Sequence, residues 1–442
     1  TYIYPYEDEP GWNLVTAMAD DAIQYMNTVD ALNPDQPFFV YYAPGATHAP
    51  HHPTPEWIEK ISDMHLFDEG WHKLRETIFA NQKKLGVIPQ DAQLTPWPDD
   101  LIKHWDELSD LEKKLFIKQV NVFAAYVAYT DHEIGRVIQA VEDLGRLDNT
   151  LIIYITGDNG TSSEGGPTGT PNEVASVQSV HLPVEAQMQY YDVWGSDQTY
   201  PHMSVGWTWA FGTPFSWTKM VSSHFGGTKQ GTAISWPKVI KDTGGIRHQF
   251  HHVVDIAPTI LEAVGVPLPE DIEGNRQTPM EGVSMVNTFE GENADAPSTH
   301  TTQYFEMIGD RAIYHDGWIL STKVMRVPWD NSGTADKDPA SWPWELYDLS
   351  KDWTQYNDVA DQYPEKVKEL DALFWKEAAR NQVLPMDTTT FTRSLLPRPN
   401  LTAGRTVFNY AGPITGTSNA NAPNVLASSY NIKAEVEIPE DG

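Results

Sequence analysis

Cysteine is absent from this 442-residue sequence. Its absence excludes disulfides, zinc–thiolate sites and a cysteine nucleophile within the chain. Long apolar runs are also missing, since no segment approaches the roughly 18 residues that a membrane helix needs. We therefore expect no membrane partner. The compartment stays open between the cytoplasm, the periplasm and the exterior.

Basic residues are scarce as well: 30 Lys and Arg stand against 61 Asp and Glu, giving a formal net charge of −31. Binding to phosphates requires a basic surface, so this balance predicts no nucleic-acid partner. The sequence is 40% hydrophobic and 11% aromatic, which indicates a globular protein. Its length exceeds one typical core, so we expect more than one domain.

Strand-like and helical segments alternate along residues 1–296, which predicts an α/β domain. Its central sheet is expected to be mostly parallel and sandwiched by helices. The apolar runs that predict strands lie at 37–43, 151–156 and 231–237, and the helical patterns lie at 12–29, 115–144 and 251–264. The Trp-rich segment 65–118 is interpreted as a lid.

The pattern changes near residue 297. Residues 297–390 contain alternating segments and a helical pattern at 363–380, which predict a smaller α+β subdomain with an antiparallel sheet. Residues 391–442 are expected to form a β-rich extension that is incomplete.

Asp158 and Asn159 directly follow the apolar run that ends at Gly157. In open α/β sheets, ligands bind outside the carboxyl ends of the strands. Two adjacent oxygen donors at such a position suit Ca²⁺ or Mg²⁺. The alternative is an ordinary Asp-Asn-Gly turn that leaves the strand.

His48 and Lys219 are placed near other predicted strand ends. His48 lies between prolines, where it suits acid–base work or anion contact, or is simply a loop histidine. Lys219 lies among aromatic residues before a Gly-Gly pair and suits an oxyanion, or is a solvated surface lysine. His48, His51 and His52 together suggest a transition-metal site as an alternative, although the adjacent His51 and His52 would not readily bind one ion from a rigid loop.

Several segments, in this order, resemble the type I sulfatases of the arylsulfatase kind, which belong to the alkaline-phosphatase-like superfamily. The resemblance covers about residue 12 to about residue 390 and depends on the segments 38–40, 47–50, 157–160, 219–227 and 251–266. It implies a sulfuric ester hydrolase with an alkaline-phosphatase-like fold and a sulfated small molecule or glycan as its ligand. The sequence leaves the oligomeric state undetermined.

The resemblance also implies roles for individual residues. Asp158 and Asn159 would be two ligands of one divalent cation, most readily Ca²⁺. His48 and Lys219 would contact the sulfate ester, with His48 protonating the leaving oxygen. One extra residue separates Lys219 from the Gly-Gly pair, and Phe225 stands where the family usually has Glu. Either Lys219 or His224 is therefore expected to face the substrate.

The family's nucleophile is missing from this sequence. Members carry a Cys/Ser-X-Pro-X-Arg segment, whose first residue becomes formylglycine, and an Asp-Asp pair that completes the metal site. No such segment occurs here, and Asp20–Asp21 lies inside a helical pattern that predicts solvated side chains. We therefore expect the chain to lack an N-terminal portion that carries the formylglycine, and to be incomplete at its C-terminus.

Three interpretations remain at this point. The first two are a sulfatase and a phosphonate or phosphodiester hydrolase of the same superfamily. A third interpretation is a non-catalytic module that binds a sulfated ligand without cleaving it.

Overall fold

The computed structural model describes residues 11–272, 274–330, 338–389, 402–410, 416–417, 421–425 and 428–436. Residues 1–388 form one compact unit and residues 389–442 form a second. The predicted domain boundary at residue 296 falls within the first unit and stays a prediction. In the second unit, residues 431–436 form no strand, and the rest of the strand-like run to 438 lies outside the described residues.

The helices agree with the predicted helical patterns but differ at their ends. In chain order the described helices are α1 (Leu14–Leu32), α2 (Pro55–Ser62), α3 (Gly70–Leu85), α4 (Asp110–Asp143), α5 (Glu173–Val177), α6 (Val184–Gln187), α7 (Val205–Phe211), α8 (Phe225–Thr228), α9 (Ile256–Ala263) and α10 (Pro364–Arg380). Helix α4 starts five residues before the predicted start because Ser109 and Glu112 form a capping box there. Helix α9 starts late because a 3₁₀ turn, Val253–Asp255, precedes it.

The strands of the described residues fall into three antiparallel sheets. They are β1 (Ile152–Ile155), β2 (Thr232–Ser235), β3 (Asp271–Ile272), β4 (Asn275–Arg276), β5 (Thr302–Met307), β6 (Asp310–His315), β7 (Trp318–Thr322) and β8 (Trp344–Asp348). β1 pairs with β2 in antiparallel register, with Ile152 opposite Ser235. This pair therefore does not form the mostly parallel central sheet that the sequence predicted. An apolar run carries no information about the direction of the strand beside it.

Residues 37–43 form no strand. Phe38 and Val40 pack against the cluster around Met26, while Phe39 and Tyr41 are 68% and 85% exposed. The expected buried strand is therefore absent, and the side chains of this segment are alternately packed and exposed.

The smaller subdomain has the predicted arrangement. β5, β6, β7 and β8 form one antiparallel sheet in sequence order, and Asp316–Gly317 makes the turn between β6 and β7. Both turn residues have positive φ, as a two-residue hairpin requires. Helix α10 covers this sheet with Leu370 and Phe374.

The Trp-rich segment is part of the main core, not a lid. Trp71 and Trp207 are at most 1% exposed, and their rings are 5.6 Å apart in an edge-to-face arrangement. Phe116 of α4 packs in the same cluster. Burial of such large rings, more than helix propensity, holds these segments together. Within the described ranges, no helix combines the length and apolar composition that crossing a bilayer requires.

Candidate active site

The loop after β1 and the segment that carries Lys219 are held together by their backbones. Gly160 N–H donates to the Gly227 carbonyl at 2.9 Å, and Lys219 N–H donates to the Thr161 carbonyl at 3.1 Å. A Cβ on Gly160 would lie 1.8 Å from the Gly226 carbonyl oxygen, so only glycine permits this approach. The turn containing Asp158 is therefore fixed beside the Lys219 segment.

Lys219 and His48 are in direct contact, although 171 positions separate them. Lys219 Nζ lies 3.1 Å from His48 Nε2. His48 Nδ1 lies 2.9 Å from the Ala49 carbonyl, which can only accept, so Nδ1 carries the hydrogen. His48 is consequently a neutral imidazole whose Nε2 lone pair accepts from the ammonium group.

Asp158 and Asn159 contact each other at the end of β1. Asn159 Nδ2 donates to Asp158 Oδ1 at 2.8 Å, and the Asp158 side chain is exposed. Among the described residues, neither side chain hydrogen-bonds to His48 or Lys219. Their oxygens are of the kind that Ca²⁺ prefers, but they supply only two of about six to eight ligands. The two side chains are chemically suited to a calcium site, but they supply too few ligands to complete one.

Three residues that the sequence did not single out lie beside Lys219. Glu164 Oε1 is 2.8 Å from Lys219 Nζ, in a pair whose side chains are 11% and 19% exposed. Glu164, Glu173 and His202 bring their potential ligand atoms within 4.8 Å of one another. Burial, followed by the nearby Glu164 carboxylate, raises the pKa of Glu173. All three lie between residues 161 and 214, where the sequence has few periodic patterns, and a loop of this length is usually functional.

His202 joins this group because Gly165 allows the loop to approach it. A Cβ on Gly165 would lie 2.1 Å from the Met203 carbonyl oxygen and 2.7 Å from His202 Nδ1. His202 Nδ1 lies 2.9 Å from the Met203 carbonyl, and Nε2 lies 2.8 Å from Ser162 Oγ. Burial lowers the pKa of His202, which favours its neutral form.

His224 is positioned differently from Lys219. Its side chain is buried, Nε2 lies 3.3 Å from Glu345 Oε2 on β8, and Nδ1 lies 2.9 Å from Ser223 Oγ. The adjacent Phe225 packs on the antiparallel sheet with Ile319. Of the two residues expected to face the substrate, the structure brings Lys219, not His224, into contact with His48.

The remaining sequence candidates do not form a metal site. His51 is buried beside His202, with ring centroids 4.9 Å apart, whereas His52 Nε2 contacts the Thr199 carbonyl. Asp20 lies within α1 and pairs with Arg136 at 2.6 Å. These contacts agree with the expectation that the Asp20–Asp21 pair is a solvated helix face.

Comparison with known proteins identifies the class. The sequence model of the Sulfatase family matches residues 1–266, and the chain belongs to this family. This membership confirms the alkaline-phosphatase-like fold class, and the helices and antiparallel subdomain of the structure are consistent with it.

The sequence identities to individual relatives are modest. The chain is 30% identical to an uncharacterized sulfatase of Schizosaccharomyces pombe over 336 residues, covering 76% of this chain and 56% of the relative. It is 26% identical to an arylsulfatase of Klebsiella aerogenes, covering 65% and 58%. A solved structure of Ps i-CgsB matches with a TM-score of 0.49 at 17% identity, covering 87% and 60%. The chain thus spans less than two thirds of the length of these relatives.

Proposed function

We propose that this chain forms part of the active site of a sulfuric ester hydrolase that acts on a sulfated small molecule or glycan. The observation that carries the proposal is the contact of 3.1 Å between Lys219 Nζ and His48 Nε2. It places an anion-binding group beside a group that can carry a proton. Membership of the sulfatase family supports sulfate as the anion.

Lys219 would bind sulfate oxygens and stabilise the negative charge that develops on them. Fixed charges of this kind usually supply the largest part of catalysis. Before the ester arrives, Glu164 neutralises the ammonium group at 2.8 Å. A sulfate ester would therefore compete with Glu164 for Lys219.

His48 would protonate the leaving oxygen. In its present tautomer Nε2 holds a lone pair, so Nε2 must first take up a proton before it can donate one. His48 is exposed, which allows solvent to supply that proton. The imidazolium would then transfer the Nε2 hydrogen to the oxygen of the departing alcohol or phenol.

Asp158 and Asn159 would hold one divalent cation, most readily Ca²⁺, together with ligands from outside the described residues. When bound, this ion would polarise a sulfate oxygen. The nucleophile, formylglycine in this family, is expected outside the present sequence, because no Cys/Ser-X-Pro-X-Arg segment occurs in it.

The proposal is tested by measuring the affinity of the 442-residue chain for nitrophenyl sulfate by calorimetry. Lys219→Ala is expected to weaken binding by about tenfold or more, the usual effect of losing a hydrogen bond from a charged group. Lys351→Ala is the matched control, since it removes the same charge from an exposed lysine paired with Asp348. Equal losses in both variants would mean that Lys219 makes no specific contact with the anion.

A further inference from the structure

Glu164, Glu173 and His202 form a cluster beside Lys219, of which the proposed reaction involves Glu164 alone, as the partner of the ammonium group. Their potential ligand atoms lie within 4.8 Å of one another. Glu173 is 5% exposed and His202 is 1% exposed. Such burial is unusual for a carboxylate like that of Glu173, because an ionised group requires compensation when it leaves water.

One potential ligand atom of the cluster is not satisfied by the protein. Among the described residues, Glu164 Oε2 is buried and has no hydrogen-bond partner. Besides burial, the groups that influence the pKa of Glu173 are Glu164, His48 and Lys219. A buried carboxylate oxygen without a hydrogen-bond partner, as at Glu164, requires an explanation, and a bound cation would supply one.

His202 is in the tautomer that a metal ligand requires. Nδ1 carries its hydrogen to the Met203 carbonyl, and Nε2 presents its lone pair, which now accepts from the Ser162 hydroxyl. A hydrogen bond from the second ring nitrogen to a carbonyl is the common way to orient a ligating histidine. The Ser162 hydroxyl can rotate away from Nε2 when a cation arrives.

The charges in the cluster do not balance. Two carboxylates face one ammonium, and Lys219 contacts Glu164 through Oε1 only. One further positive charge would compensate the second carboxylate. Lys219, which contacts Glu164, is 19% exposed, and its other partner His48 is exposed.

We propose that Glu164, Glu173 and His202 bind a divalent transition cation such as Mn²⁺ or Zn²⁺, at a site separate from the oxygen pair Asp158–Asn159. A mixed imidazole and carboxylate set suits these ions better than Ca²⁺. Water would complete the coordination shell. The bound cation would add positive charge behind the residues proposed to hold sulfate.

Lys219 is the natural competitor of this cation, because its ammonium already takes one oxygen of Glu164. Removing the ammonium while keeping an apolar side chain, as in Lys219→Met, is expected to tighten cation binding. A cation bound elsewhere would not respond in this way.

The experiment is a Mn²⁺ titration of the chelator-stripped 442-residue chain, followed by electron paramagnetic resonance, with excess Ca²⁺ to block oxygen-only sites. The unmodified chain is expected to bind one Mn²⁺ saturably. Glu173→Gln and His202→Asn are each expected to weaken it by about tenfold or more. Glu185→Gln is the charge-matched control, since Glu185 is exposed on α6.

Several results would overturn the proposal: no saturable Mn²⁺, equal affinity in Glu173→Gln and Glu185→Gln, or loss of the ion in Asp158→Asn. Circular dichroism checks that each variant is folded. Glu164→Gln, at a less buried position, gives a second test if the Glu173 variant unfolds. Asp158→Asn and His48→Ala should leave Mn²⁺ binding intact. The proposed cation site can therefore be wrong while the proposed sulfatase function holds, and the sulfatase function can be wrong while the cation site holds.

Discussion

At the scale of single residues, the candidate site depends on one lysine that has two partners. Lys219 donates to His48 at 3.1 Å and pairs with Glu164 at 2.8 Å. The first contact brings together two residues that the sequence predicted for the site, and the second involves a residue that it did not. Glu164 sets how much of the Lys219 charge an incoming anion can use.

Glu164→Gln is expected to tighten sulfate binding by about tenfold, roughly 1.4 kcal/mol, because the anion no longer competes with a carboxylate for Lys219. Calorimetry with inorganic sulfate, in the presence of a chelator, measures this. Glu185→Gln controls for the change in net charge. Weaker sulfate binding in Glu164→Gln would show instead that Glu164 is needed to position the ammonium.

At the scale of elements, the site is built by loops that pack closely on one another. β1 and β2 were located correctly from their apolar runs, but their antiparallel pairing was not predicted. Gly160 shows why these loops tolerate few substitutions. A Cβ at this position would lie 1.8 Å from the Gly226 carbonyl oxygen.

Gly160→Ala is expected to lower the free energy of unfolding by about 1–3 kcal/mol and to weaken sulfate binding, because the new methyl group would force the Asp158 turn away from the Lys219 segment. Gly45→Ala is a suitable control, since nothing lies within 4 Å of its Cβ position. Urea unfolding and calorimetry give both quantities. Unchanged stability in Gly160→Ala would contradict this account.

A second contact between elements links the start of α9 to β5. His300, just before β5, hydrogen-bonds to the buried Asp255, and this contact raises the pKa of His300. Burial alone would raise the pKa of Asp255, but hydrogen bonds, first from His251 and then from His300, lower it overall. The charged pair therefore stabilises the fold most below the usual histidine pKa of about 6.5.

We expect the stabilisation from His300, about 1.5–3 kcal/mol, to be lost as the pH rises through its raised pKa. The difference in free energy of unfolding between the unmodified chain and His300→Gln should then shrink as the pH rises above the usual histidine pKa of about 6.5. Urea titrations across this range measure it. A difference that stays constant or grows with pH would contradict the assignment of charge to His300.

At the scale of the whole molecule, the chain belongs to the sulfatase family, but its sequence contains candidates for only some of the active-site residues that the family uses. The sequence contains the candidates for the anion contact, the proton donor and two metal ligands, but no Cys/Ser-X-Pro-X-Arg segment. Two oxygens also leave most of a calcium shell unfilled.

The 442-residue chain is therefore expected to turn over no nitrophenyl sulfate, even with saturating Ca²⁺. Residues that bind the ester cannot cleave it when no nucleophile is present. Release of nitrophenol, followed by absorbance beside an active arylsulfatase, measures this. Steady hydrolysis that disappears in Lys219→Ala would contradict the expectation and place a nucleophile within the chain.

The sequence by itself determined the family, the positions of α1, α4, α9 and α10, the antiparallel subdomain and the candidates His48 and Lys219. Periodicity, caps and turn residues act over a few positions, so they can be seen in the sequence. Only the tertiary structure decided that β1 and β2 run antiparallel and that Trp71 belongs to the core. It also decided that Lys219 rather than His224 meets His48, and that Glu164, Glu173 and His202 converge. These outcomes depend on contacts between distant segments, which no local pattern records.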